Sequence, residues 1–302
     1  MFIAPVLLPE YPPALLTVGR YLAFGLIAVP LALADRAEIR RLARADWIEA
    51  TWLSLVGNLV YYGFLAASIQ AADAPLPTMI IGTLPVVIAV CSNLTERELP
   101  WRKLALSLPV LAAGIALVNR DELSRLAAQG ADPARLWLGA ALACGAVACW
   151  TWYPIRNARW LRRRPGLSSR AWATAQGITT LPLALAGALL LAGLNAARGT
   201  DGAFEWPLGP RPLAFAGWML AIGLCASWLG TLCWNRASQL LPTSLAGQLI
   251  VFETLSALLY AFLLREQVPP AGTLAGIALL VAGVVIGMRA FSGSPRPAPP
   301  AP

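Results

Sequence analysis

Apolar runs of about twenty residues recur along the chain, at 13–33, 48–70, 75–93, 101–118, 136–156, 171–194, 213–235, 243–264 and 270–288. At a rise of 1.5 Å per residue, a helix of roughly twenty residues crosses a hydrocarbon core of about 30 Å. Polar residues collect between the runs, in loops too short to hold a soluble domain. The pattern predicts an all-α, polytopic transmembrane helix bundle with nine visible helices. Pro12, Pro13, Pro75, Pro242, Pro269 and Pro270 mark helix starts, where the missing amide proton costs nothing. Residues 291–302, rich in proline, predict a disordered tail.

Composition agrees with that reading. Of 302 residues, 58% are hydrophobic and 13% charged, with a mean hydropathy of +0.65; an average soluble domain has roughly 25% charged residues. The net charge of +8 does not indicate nucleic acid, because the basic residues gather on no one domain. They fall in alternate loops, densest at 34–47, 94–103 and 156–170, and so place those loops and the C-terminus in the cytoplasm. The chain has no histidine, which excludes histidine triads and histidine metal sites. Its five cysteines lie in apolar runs without CxxC spacing and read as small core residues, not as a zinc site. With no GxxxxGK[ST] motif either, no cofactor, metal or direct use of ATP is expected.

A shift of 170 positions carries Leu59 onto Leu229, Ser68 onto Ser238, Ile80 onto Ile250, Glu96 onto Glu266 and Pro100 onto Pro270. A second echo pairs VPLALA at 29–34 with LPLALA at 181–186. Internal duplication is common in transporter folds. The shift moves the third helix onto the eighth, five crossings later, so the two halves are inverted repeats. The boundaries read 1–118 for the first repeat, 119–135 for an extracytoplasmic linker, 136–290 for the second repeat and 291–302 for the tail. Five helices per half make ten, yet the first half shows four, and the opening MFIAPVLLPEYPP is too short and proline-broken to span. The expectation is that the first helix is missing, through a start placed downstream of the true one or through its loss.

The ordered set PPALLTVGRYLAFG, NLTERELP, LPVLAAGIALV, CWNRASQLLPTSLAGQLI, LLREQVPP and LAGIALLVAGVVIG resembles the drug/metabolite transporter superfamily, in particular its bacterial EamA-type family of ten-helix carriers. The resemblance covers nearly the whole chain. It implies a secondary transporter of the bacterial inner membrane, typically an exporter of amino acids or related metabolites, with a small-molecule substrate and the lipid bilayer as partners. The chain departs from the family in lacking the first helix, which there helps line the central cavity. It departs again in the ninth helix, which carries FETL where a proline is common; Pro85 keeps the counterpart in the first half. Two other classes stand beside the carrier: a non-transporting or truncated membrane scaffold, and a membrane-embedded enzyme. An enzyme needs a constellation of nucleophile, base and ligands that this chain does not display.

The candidate site residues are the polar and aromatic ones set in apolar runs. Glu253 lies ten residues into its helix, ~15 Å deep. An ionised acid there costs on the order of 2.5–3.5 kcal/mol by insertion scales, so it faces a cavity, is neutral, or is paired. It reads as a coupling carboxylate or an ammonium clamp, against a neutral acid tying two helices together. Arg20, eight residues into its helix, reads either as a snorkelling or capping residue or as the partner of Glu253 or of a substrate carboxylate, which a guanidinium grips with two donors. Asn58, Tyr61, Thr83, Trp228, Gln248 and Phe252 complete the substrate-binding or coupling set. Thr83 falls on Glu253 under the 170 shift. Trp152, Tyr153, Trp234 and Asn235 lie close to the helix ends and fit an interfacial belt. Gly283 and Gly287 form a small-xxx-small pair suited to packing within the bundle or between protomers, which leaves a homodimer open.

Overall fold

A computed structural model describes residues 4, 7–72, 75–96, 100–128, 132–198, 208–253, 255–256 and 271–292, and every element among them is helical. Helix α1 is Pro13–Ala34, α2 Arg36–Ile39, α3 Arg44–Ser54, α4 Tyr61–Ala72, α5 Pro75–Ile81, α6 Leu84–Glu96 and α7 Trp101–Ala128. The second part of the chain gives α8 Pro133–Arg163, α9 Ser169–Arg198, α10 Pro212–Ile222, α11 Gly230–Leu240, α12 Thr243–Leu249 and α13 Ala271–Ser292. A π-helical turn, Leu55–Val60, joins α3 to α4, and another, Gly223–Leu229, joins α10 to α11.

The predicted starts hold where they are described. Pro13 opens α1, Pro75 opens α5, and Pro242 precedes the first residue of α12. Asp132 caps α8 by accepting a hydrogen bond from the Ala134 amide at 3.0 Å.

Among the described residues, seven helices are long and apolar enough to cross a membrane: Pro13–Ala34, Arg44–Ala72, Leu76–Glu96, Pro133–Arg163, Ser169–Ala197, Pro212–Leu240 and Ala271–Arg289. These correspond to seven of the nine runs. The 101–118 run becomes Leu104–Arg120, a shorter apolar stretch inside α7. Of the 243–264 run, α12 and a few residues beyond it are described; 257–264 and the end of the tail lie outside the described residues.

The chain folds as two compact units. Unit 1 takes residues 1–81 and 132–240, and unit 2 takes 82–131 and 241–302. They do not coincide with the sequence halves, because each half contributes to both units.

In unit 1, α1 lies against α9 through glycines. A Cβ on Gly25 would stand 2.6 Å from Leu181, and one on Gly177 would stand 2.5 Å from Ala28. Both glycines are 152 positions apart, the spacing of the VPLALA echo. The hydroxyl of Ser68 donates to the Gly139 carbonyl at 2.7 Å, holding α4 to α8. The described end of the opening segment is tied down. Tyr11 stacks on Phe215 at 4.8 Å, its hydroxyl donates to the Leu208 carbonyl and accepts from the Arg211 amide, and Glu10 pairs with Arg211.

In unit 2, α7 and α13 cross antiparallel, and the crossing is nearly self-matching. A Cβ on Gly114 would lie 3.0 Å from Leu280, and one on Gly283 would lie 2.7 Å from Leu111. Gly114 to Gly283 and Leu111 to Leu280 are both steps of 169, so each contact is the other with the helices exchanged. The packed apolar centre comprises Leu111, Ile115, Val251, Leu280 and Val284.

Candidate substrate site

The centre of unit 1 is built around Arg20, 2% exposed on α1. Its neighbours on the helix, Thr17 and Tyr21, are buried with it. Its Nε donates to Ser227 Oγ at 3.0 Å, and its Cζ lies 4.4 Å from the centroid of the Tyr62 ring and 5.2 Å from that of Tyr21. A desolvated cation over an aromatic face gains about 2 kcal/mol. That offsets only part of the several kcal/mol a buried charge loses on leaving water. Its Nη1 has no hydrogen-bond partner. Arg20 is therefore neither a snorkelling residue nor a helix cap.

Both π-turns contribute here. Ser227 and Trp228 belong to the second; Asn58, buried and with Nδ2 unpartnered, belongs to the first. The wide turn in each helix recurs at nearly the same register, about 169 positions apart, and π-turns concentrate at functional sites. Tyr61 begins α4 just beyond the first turn and stacks on Trp150 at 4.9 Å; Trp150 in turn stacks on Tyr153 at 5.0 Å. Trp228 is half-buried, and its indole donates to Thr174 Oγ1 at 3.2 Å. Arg20, Tyr61 and Trp228 thus share one neighbourhood, lined by Tyr21, Phe24 and Tyr62.

A neutral network joins α8, α9 and α11. The Tyr153 hydroxyl donates to Gln176 Oε1 at 2.9 Å, the Trp172 indole donates to Asn157 Oδ1 at 2.8 Å, and Asn157 Nδ2 donates to Asn235 Oδ1 at 2.9 Å. Tyr153 and Asn235 are buried, which corrects the belt assignment for both: closeness to a helix end says nothing of whether a side chain points inward. Trp152 keeps a place nearer the rim, beneath the Arg156 guanidinium at 5.0 Å. That rim carries the ion pairs. Arg156 forks onto Glu49 at 2.6 and 2.8 Å, and Asp46 accepts from Arg164, from the Trp160 indole and from the Ala43 amide.

In unit 2 the polar candidates sit at interruptions. The span Leu76–Glu96 is broken by a turn at Gly82–Thr83, and the Thr83 carbonyl accepts from the amides of Val86 and Val87 to start α6. After α12 the chain turns at Ile250, whose carbonyl accepts from the Glu253 amide at 2.8 Å. Glu253 and Phe252 follow the turn and are exposed, Phe252 to 57%. Gln248, by contrast, is buried, its Oε1 unpartnered, against α13 at Gly287, where any Cβ would run into the Gln248 amide.

Sequence reasoning missed Ser227, Asn157 and Gln176. Small polar residues in apolar runs are common, and only the fold brings Ser227 to Arg20 from 207 positions away. A spacing signal did exist for the π-turns, since the 170 shift carries Gly57 onto Ser227.

Three comparisons with known proteins bear on this chain. The EamA-like transporter family matches residues 1–120. The inner membrane protein YtfF of Escherichia coli (strain K12) is 51% identical over 299 residues, spanning 98% of this chain and 92% of that protein. A solved crystal structure superposes with a TM-score of 0.66 at 18% identity, over 93% of this chain and 89% of that one, a likeness of fold.

Proposed function

Because the chain belongs to the EamA-like transporter family of the drug/metabolite transporter superfamily, we propose that it is a secondary carrier exporting amino acids or related small metabolites by alternating access. It is a membrane transporter by family. The reading places it in the bacterial cytoplasmic membrane with its C-terminus inside, supported by the inner-membrane relative and by the asymmetry of the basic loops.

One observation carries the mechanism: the paired interruptions. Discontinuous helices free backbone groups where a solute or ion binds, and the breaks at Gly82–Thr83 and Ile250 fall two or three positions apart under the 170 shift. The exchanged Gly–Leu contacts of α7 and α13 support the inverted repeat that alternating access uses. In this reading Glu253 is the coupling carboxylate, Thr83 its uncharged counterpart, and Arg20, Asn58, Tyr61, Trp228, Gln248 and Phe252 serve binding.

Proteoliposome transport tests it. Radiolabelled amino-acid counterflow is expected for the wild type. For Glu253→Gln, flux driven by a pH gradient falls on the order of tenfold, while counterflow at equal pH persists. Unchanged flux and unchanged pH dependence in Glu253→Gln would remove the coupling role.

A further inference from the structure

Every carboxylate among the described residues of unit 1 is engaged by a protein group other than Arg20. Glu10 pairs with Arg211, Asp35 with Arg170, Glu38 with Arg41, Asp46 with Arg164 and Glu49 with Arg156, while Asp132 caps α8. Arg20, the deepest cation of the unit, has a serine hydroxyl and two tyrosine rings instead. Those rings present partial negative charge but no formal charge, so the cation stays uncompensated by the described residues of its unit, with Nη1 unpartnered at 2% exposure. Around it stand two π-turns, one carrying Asn58 with a free amide donor, and the stacked rings of Tyr61, Trp150 and Tyr153, of which Trp150 is half-buried.

The geometry points to a substrate that brings the missing negative charge: Arg20 takes its carboxylate, the Tyr61–Trp150 wall takes a flat apolar body, and an amino group is dispensable. This rests on the carrier reading and narrows its substrate class to organic carboxylates. A guanidinium suits that role better than an ammonium would, because its planar fork matches a carboxylate.

The full chain in lipid nanodiscs is titrated by calorimetry with 3-phenylpropanoate, phenethylamine and phenylalanine, one apolar body carrying a carboxylate, an amine, or both. The wild type is expected to bind the first and third within about threefold of each other and the amine at least about tenfold more weakly. Arg20→Gln loses at least about tenfold for both carboxylates and leaves phenethylamine unchanged. Its ligand-free Tm stays level or rises, since removing this charge strands no opposite charge. Should Arg20→Gln not fold, Arg20→Lys decides: a weaker hold on the carboxylate alone upholds the assignment, an equal hold overturns it. The assignment is also overturned if wild type binds no 3-phenylpropanoate in the millimolar range, if the amine binds as tightly as the acid, or if Arg20→Gln keeps carboxylate binding within about twofold. Counterflow separates the two readings. Flux of phenethylamine without flux of carboxylates leaves the carrier and sinks this inference; carboxylate binding without flux of any solute does the reverse.

Discussion

Arg20 and Arg156 are both arginines of unit 1 set over an aromatic ring, and they differ in everything else. Arg156 stands at the rim of α8 with its side chain 42% exposed, and it meets Glu49 through two hydrogen bonds. Arg20 is enclosed in the centre, bonded to a neutral hydroxyl. Among the described residues of the unit, the partly exposed arginine thus has a carboxylate to meet it and the enclosed one has none. Stability alone gives no reason to leave a cation unmatched there, since an isolated buried charge is costly. The contrast separates a rim that fastens helices from a centre held ready for something else.

That contrast can be broken at the rim first. Asp46→Ala strands the Trp160 indole and the Ala43 amide and takes away the partner of Arg164. Its expected cost is about 2 kcal/mol, read as a lower Tm of the purified protein in nanodiscs; an unchanged Tm would mean that the rim fastens nothing. Glu49→Gln gives up the charge but keeps the shape. Because Arg156 is substantially exposed, the expected loss is about 1 kcal/mol or less, shrinking further in high salt.

The smallest effect lies in the opening loop. A backbone hydrogen bond, and then Arg211, hold the Glu10 carboxyl below the usual carboxylate range. A lowered folded value means that the tie is fully present above the unfolded carboxylate pKa of about 4.3 and is lost as pH falls through the lower folded value. Amide protection around Leu208–Arg211, corrected for the intrinsic exchange rate at each pH, should therefore fall on acidification before that of the rest of unit 1. An equal fall throughout would show that Glu10 has no local part.

Much of this was legible in the chain. Periodic apolar runs and proline starts gave the helices, and the oddity of one arginine inside α1 singled out Arg20. The 170 shift set Thr83 on Glu253 without foretelling the breaks beside them, at Gly82–Thr83 and Ile250. What stayed hidden was direction. Nothing local distinguishes Tyr153, which is buried and bonded to Gln176, from Trp152, which lies one residue earlier under Arg156. Consecutive helical residues point about 100° apart, so only packing decides which faces inward. Ser227 was hidden for another reason: its role depends on α1 and the second π-turn meeting, a long-range contact that composition cannot encode.

The close glycine contacts have a practical consequence for anyone seeking a sturdier version of this protein. Replacing helical glycine by alanine ordinarily gains ~0.4–1 kcal/mol by restricting the unfolded chain. Here that route is closed at the seams, since a methyl at Gly25 meets the backbone of Leu181 and one at Gly276 meets that of Val118. It is open at Gly193, Gly217 and Gly272, where an added carbon would find nothing within 4 Å. Thermostabilised variants for structural work should therefore come from the outward-facing glycines of α9, α10 and α13.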